Sequence, residues 1–228
     1  MAEGTPAGGA AVVGVLDVDD HGILLERITE EPATAGAAVA FGRALATTHA
    51  LGATHFGVGP PGWSGDGYIG RQVLALQPFS RWGEFYATIR VLPYARAARL
   101  AGTLDERGLT LVEQLSERLT AGDFDDGCPP ARIHGDLWAG NVLYSGSGAV
   151  LIDPAAHGGH GLTDVAMLDL FGTPFLERVK DAYAEIAQLP PRWRALIRLH
   201  QLHPLLVHAV THGPSYGQAA SGVAAEYT

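Results

Sequence analysis

The chain has 228 residues, with 47% hydrophobic and 17% charged, which suits one large domain or two small lobes of an ordinary globular protein. A net charge of −9 without a basic run argues against nucleic-acid binding, while leaving room for a local basic pocket for phosphates. The single cysteine, Cys128, excludes an intrachain disulfide, and no stretch approaches the roughly 18 apolar residues of a membrane span or a basic signal-peptide start, so the cytoplasm is the expected compartment.

Residues 1–10 are small and Gly-rich and read as a flexible end. Residues 11–18 and 23–28 read as two strands joined by an Asp19-Asp20-His21-Gly22 turn. Residues 34–50 are Ala-rich with Phe41, Leu45 and Thr48/His49 at helical spacing, and Gly52 follows as a C-cap. A Gly/Pro loop over 57–70 carries Trp63, Asp66 and Tyr68. It borders an acceptor pocket or is an ordinary surface loop. Helices are expected over 82–100, with a break at Pro93, and over 105–119, where Leu109, Val112, Leu115 and Leu119 form an apolar core stripe. Residues 123–130 form a connecting loop. Three or four helices then run from residue 163 to the end, the clearest over 192–212. The order is a small β piece, helices, a hairpin, then more helices, which makes the fold α+β.

The chemistry lies in that hairpin. His134-Gly135-Asp136-Leu137-Trp138-Ala139-Gly140-Asn141 is followed by Leu151-Ile152-Asp153-Pro154. His-x-Asp, four residues, Asn and then a later Asp keep the spacing by which kinases place a base and two metal-holding oxygens, with Gly where protein kinases have Arg. Phosphoryl transfer needs these types. One carboxylate positions and deprotonates the attacking hydroxyl, while Asn and Asp oxygens hold Mg²⁺ against the phosphates of ATP. Val142-Leu143-Tyr144 and Ala149-Val150-Leu151-Ile152 flank a four-residue Ser145-Gly146-Ser147-Gly148 loop. If Tyr144 pairs with Ala149, Asn141 falls opposite Ile152, and Asp153 comes within about 5 Å at Cα.

Lys180 is the sole lysine and sits in Arg178-Val179-Lys180-Asp181, which excludes a Gly-Lys-Ser/Thr phosphate loop. His157, His160, His200, His203, His208 and His212 invite a zinc reading, but no compact ligand set is visible and Cys128 is distant in sequence, so Mg²⁺ at Asn141 and Asp153 fits better. His134 is expected to orient the loop by hydrogen bonding rather than act as the base. Trp138 either stacks on substrate or packs beneath the loop. Asp164 and Asp169 are expected at helix starts and in buried hydrogen bonds, and Tyr86 and Arg90 share a helix face.

Over residues 11–228 the sequence resembles the fructosamine (ketoamine) kinase family, within the broader aminoglycoside-phosphotransferase and protein-kinase-like superfamily. The motifs are those of residues 134–141, Ile152-Asp-Pro-Ala-Ala-His-Gly-Gly-His160 and Asp164-Val-Ala-Met-Leu-Asp-Leu-Phe171. Phe85-Tyr86, Leu92-Pro93-Tyr94 and the run from His200 to His208 are similar to bacterial members. The resemblance implies a protein-kinase-like fold with a truncated N-terminal β lobe and a large, mainly helical C-terminal lobe, divided here as residues 1–30 and 31–228. It implies ATP-dependent phosphorylation at C3 of the sugar of a ketoamine, a glycated amine. Asp136 is then the base, Asn141 and Asp153 the Mg²⁺ ligands, and Glu26, Arg27 and Ile28 the end of a strand whose backbone contacts adenine. His134, Trp138, His160, Trp63 and Tyr68 are candidate substrate-binding or supporting residues. The family's phosphate-covering loop and ATP-contacting lysine have no counterpart ahead of residue 11. Loss of such a donor costs about 10²–10³ in rate. A misassigned start, a true truncation leaving a non-catalytic kinase-like binding protein, and strands supplied by another chain compete as explanations. A kinase for another small hydroxyl compound, an aminoglycoside or choline, stays open as well.

Overall fold

The computed structural model describes residues 8–228. The expected flexible end therefore lies outside the described residues up to position 7. Ala10 departs from that expectation: it is buried, and its N–H donates to Thr48 Oγ1 at 2.9 Å.

The expected first strand is divided. β1 (Ala11–Val12) runs parallel to β8 (Gly148–Leu151), which pairs antiparallel with β7 (Val142–Ser145). β2 (Val15–Asp19) turns back through the expected Asp19–Gly22 turn into β3 (Gly22–Leu25), with a register shift between Val15 and Asp17. The strand thus stops at Leu25 and Glu26–Ile28 continue without regular structure. Val15, Leu16, Val18, Ile23 and Leu24 on this ribbon are each more than half exposed.

α1 (Ala35–His49) starts where Thr34 Oγ1 caps Ala37 N, and it buries Phe41, Leu45, Thr48 and His49, the expected face. Its C-cap is Ala50, two residues before the glycine expected there. The 57–70 loop is only partly a loop. β4 (Gly67–Ile69) and β5 (Gln72–Leu74) form a hairpin around a two-residue Gly70-Arg71 turn. Gly70 has φ +55°, the conformation such turns require of their first central residue.

No break occurs at Pro93. α2 (Trp82–Phe85), a π-helical stretch (Tyr86–Val91) and α3 (Leu92–Leu100) run on continuously. Pro93 has no N–H for the Ile89 carbonyl, and Arg90 Nη1 donates there instead at 3.1 Å. α4 (Glu106–Ala121) is capped by Asp105, whose Oδ1 accepts from Gly108 N at 2.7 Å, and Val112, Leu115 and Leu119 on its stripe are fully buried. Each is worth roughly 1.5–3 kcal/mol of burial.

β6 (Ala131–Ile133) and β9 (His157–Gly159) pair antiparallel on either side of the hairpin segment. Five helices follow, more than the three or four expected: α5 (Leu162–Phe171), α6 (Leu176–Ala187), α7 (Trp193–His200), α8 (Leu202–His212) and α9 (Pro214–Tyr227). The single helix expected over 192–212 is nicked at Gln201. Pro204 cannot donate to His200, and Tyr86 fills the gap: its hydroxyl lies 3.0 Å from the carbonyls of Leu199 and His200, and 3.0 Å from the His203 N–H. The described residues make an α+β fold with two apolar cores. One joins α2–α4 with α8 and α9; the other joins the β7–β8 hairpin with α1, α5 and α6.

Candidate active site

The His134-Gly135-Asp136 turn leaves β6 with backbone N–H groups that take help from another element. That help is Asp164 in the first turn of α5, 1% exposed, whose Oδ2 accepts from His134 N at 2.7 Å and Oδ1 from Gly135 N at 2.9 Å. Its Oδ2 also meets His49 Nε2 at 3.0 Å, and His49 Nδ1 meets the Tyr183 hydroxyl at 2.9 Å. Burial alone would raise the Asp164 pKa, but hydrogen bonding to His49, its proximity and that of His134, and the Gly135 N–H hold it below the ordinary carboxylate range. The buried hydrogen bonds expected of Asp164 therefore serve the loop.

Both ring nitrogens of His134 are hydrogen-bonded. Its Nδ1 accepts from Asp136 N at 3.2 Å, so in the neutral ring the proton is on Nε2, donated to the Ile152 carbonyl at 2.8 Å. One imidazole thus ties the loop to the strand end beside Asp153. Gly135 has φ +82°, and a Cβ there would run into the Ala155 carbonyl oxygen. Gly135→Ala is expected to cost about 1–3 kcal/mol of stability; thermal denaturation checks it, and an unchanged melting temperature would remove the steric argument.

β7 and β8 pair as expected, Tyr144 with Ala149 and Val142 with Leu151, and Ile152 N donates to Asn141 O at 3.2 Å. The loop is tighter than the expected four residues, because Ser145 and Gly148 themselves pair around Gly146-Ser147. Asn141 and Asp153 accordingly flank the same end of the hairpin. Asn141 Nδ2 donates to the Asp136 carbonyl at 2.8 Å and lies 3.4 Å from Asp136 Oδ2. In that orientation Asn141 Oδ1 accepts no hydrogen bond among the described residues. Asp153 is exposed and holds φ +49°, a left-handed conformation uncommon outside glycine and frequent at functional sites. An amide oxygen and an exposed carboxylate are the hard donors a small divalent cation takes. Asp136 itself is half-buried. Burial raises its pKa, opposed by His134, His208 and the Asn141 hydrogen bond, and reinforced by Asp164.

A cavity of about 620 Å³ opens over Asp136. Trp138 lines it, 44% exposed, with its ring resting against Gly140. Of the other supporting candidates, Trp63 and Tyr68 are exposed on the 57–70 segment and His160 is buried; none of these three lines the cavity. Glu26 N donates to Gly14 O at 2.8 Å, next to the β2–β3 ribbon. Sequence reasoning did not assign Arg71, Phe171, His208, His212 and Tyr216 to this cavity. The i,i+4 spacing of His208 and His212 was a signal, but for a stack rather than a metal. The two rings lie 4.9 Å apart at 23°, and Tyr216 and Phe171 flank His208 at 5.1 and 4.8 Å.

The other histidines make structural contacts, with the His160 and His200 rings 4.7 Å apart. His157 Nδ1 bonds the Ala155 carbonyl at 2.8 Å, and burial pushes its pKa down to about 3. His200 stacks on Trp82 at 4.5 Å, and His203 meets Tyr94 edge-on at 5.0 Å. Cys128, far away in sequence, does join one of them: ligand-type atoms of Asp126, Cys128 and His160 lie within 4.8 Å of one another. Yet His160 Nδ1 accepts from Leu162 N at 3.1 Å, which puts the ring proton on Nε2, facing both Asp126 oxygens at 3.2 Å. A cation there would displace that proton from a ring whose other nitrogen is already an acceptor. Burial and the Asp126 charge push the Cys128 thiol up to about 12. The trio fastens the 123–130 loop to the end of β9.

A family model for fructosamine kinase matches residues 10–227. The chain is similar, at 49% identity and TM-score 0.88, to the crystal structure of a Thermobifida fusca protein assigned as a fructosamine-3-kinase, over 95% of this chain and 73% of that one. An Enterococcus faecium protein assigned as a ketoamine kinase is 31% identical over 175 residues, 76% of this chain and 61% of its own length. Mouse ketosamine-3-kinase is 32% identical over 135 residues, 59% of this chain and 43% of its own length. The chain spans 52–61% of the length of these bacterial curated relatives. With nearly all of its residues covered by that family model, the chain belongs to the fructosamine kinase family.

Proposed function

We propose that the protein transfers the γ-phosphoryl group of ATP to a sugar hydroxyl, at C3, of a ketoamine. The observation that carries this reading is Asp136, a half-buried carboxylate at the wall of an open cavity, hydrogen-bonded to the Asn141 that flanks Asp153. The Asp136 carboxylate accepts the proton as the acceptor oxygen forms its bond to phosphorus; the bond from phosphorus to the bridging oxygen breaks, and ADP departs. His134 and Asp164 hold the loop so that this carboxylate faces the cavity. Asn141 Oδ1 and Asp153 would hold Mg²⁺, which neutralises phosphate charge when bound. Backbone groups of Glu26–Ile28 serve as the adenine contact, supported by the tie from Glu31 N to Tyr144 O at 2.8 Å, which brings the segment just after them to the hairpin.

The test is incubation with Mg²⁺, ATP and a fructose-derived ketoamine. The expected product carries phosphate on C3 by ³¹P-coupled NMR. Transfer to an aminoglycoside or choline and to no ketoamine would replace this acceptor class with another. A second reading, a nucleotide-binding protein without catalysis, is favoured by one observation. Lys180, the sole lysine, is tied to Asp169 and Glu177 at 2.6 Å each and is not among the residues lining the cavity at Asp136. Mg²⁺–ATP affinity without transfer to any hydroxyl compound would decide for it.

A further inference from the structure

We infer that Arg71 reads an anionic group on the acceptor, so that the preferred substrate is a small ketoamine bearing a carboxylate, such as one formed on the amine of a free amino acid. The inference rests on the kinase reading and adds the far end of its acceptor.

The tight Gly70-Arg71 turn puts Arg71 at the tip of the β4–β5 hairpin, on the wall of the cavity that holds Asp136. The hairpin is held from below. Tyr94 Oη donates to Val73 O at 2.7 Å, Arg90 Nη1 to Ala75 O at 2.8 Å, and Leu76 N to Asp66 Oδ1 at 3.2 Å. Arg90, 1% exposed, lies under the Phe85 ring at 4.8 Å with no carboxylate partner among the described residues, and burial brings its pKa down to about 10. A buried cation spent on a loop carbonyl indicates a hairpin fixed in place, not one lying loosely on the surface.

Arg71 is the complement of that picture. It is exposed and forms no ion pair among the described residues. Among the described residues lining the cavity, Asp136 is the one carboxylate and Arg71 the one arginine. The same wall includes the ring stack of His208, His212 and Tyr216. A base at one point and a fork of N–H donors at another fit an acceptor with a hydroxyl to be deprotonated and a planar anion to be gripped. A ketoamine made on a free amino acid carries both, its carboxylate one carbon beyond the nitrogen. A ketoamine on a lysine side chain of a folded protein offers no carboxylate at that distance.

The test is isothermal titration of this chain with N-fructosyl-glycine and with its neutral amide, in the wild type, Arg71→Gln and Arg71→Lys. Wild type is expected to bind the acid about tenfold tighter than the amide, the size of a charge-assisted hydrogen bond at a partly exposed rim. Arg71→Gln should bind both at the amide's level, Arg71→Lys should keep part of the difference, and added salt should shrink it. Equal binding of acid and amide by the wild type, or a preference that survives in Arg71→Gln, overturns the role of Arg71 and leaves the ketoamine reading standing. Binding of neither ligand overturns both. If Arg71 instead faces the nucleotide, Arg71→Gln weakens Mg²⁺–ATP and leaves the acid-to-amide ratio unchanged, which also overturns it.

Discussion

Asp136→Asn is expected to lower kcat for the proposed phosphoryl transfer by about 10²–10⁴, with the protein melting at a slightly higher temperature than the wild type. The amide has the shape of the carboxylate and still offers an oxygen to Asn141 Nδ2, so the loop keeps its form. What is lost is the proposed proton acceptor. The gain in stability follows from the sign of the pKa shift. Burial raises the Asp136 pKa in the folded protein. A group of this kind contributes stability that is fully present below its unfolded pKa and lost as pH rises through the folded one, so at neutral pH the ionised side chain is a net cost. The same shift sets the rate profile: kcat/KM falls on acidification as Asp136 gains its proton, at a higher pH than for an ordinary carboxylate. A pH–rate series and a thermal melt on both proteins measure these effects. Retained turnover in Asp136→Asn would assign the base elsewhere, and an acid limb in the ordinary carboxylate range would remove the role given to burial.

Asp164→Ala is expected to cost about 3–5 kcal/mol of folding stability, as breaking a buried charged network does. It strips acceptors from His134 N, Gly135 N and His49 Nε2 at once, in a place where water cannot replace them. Urea denaturation at neutral pH reads the loss. The pH dependence has the sense opposite to that of Asp136. The folded pKa of Asp164 is depressed, so its contribution is present above the unfolded pKa and drains away as pH falls through the folded one, below the ordinary carboxylate range. The difference in stability between wild type and Asp164→Ala should therefore narrow in strong acid. A loss under about 1 kcal/mol at neutral pH would mean that the loop is held by other contacts.

The β7–β8 hairpin was legible because its information is local. Tyr144 and Ala149 are close in sequence, strand side chains alternate with period two, and a short loop leaves one sensible register, which placed Asn141 opposite Ile152. The α4 stripe and the Asp105 cap were legible for the same kind of reason, a period of 3.6 and a carboxylate one turn from a free N–H. The β4–β5 hairpin carried a readable signal, two short runs around Gly70-Arg71, hidden within a Gly/Pro-rich stretch. Pro93 and Pro204 show where local rules stop. Both withhold a hydrogen bond, but only one helix is nicked, because Arg90 and Tyr86 satisfy the orphaned carbonyls in different ways. Asp164, 28 residues beyond Asp136, becomes the anchor of the loop only through packing of α5 against it. The cavity draws on residues 69–71, 136–138, 167–171 and 207–216, and Asp126 and Cys128 meet His160 across a comparable distance along the chain. By itself the sequence determined which residues could do the chemistry and how their hairpin is registered. Tertiary structure alone decided what surrounds Asp136, because contacts between distant segments depend on how whole helices pack, and no short-range period encodes that.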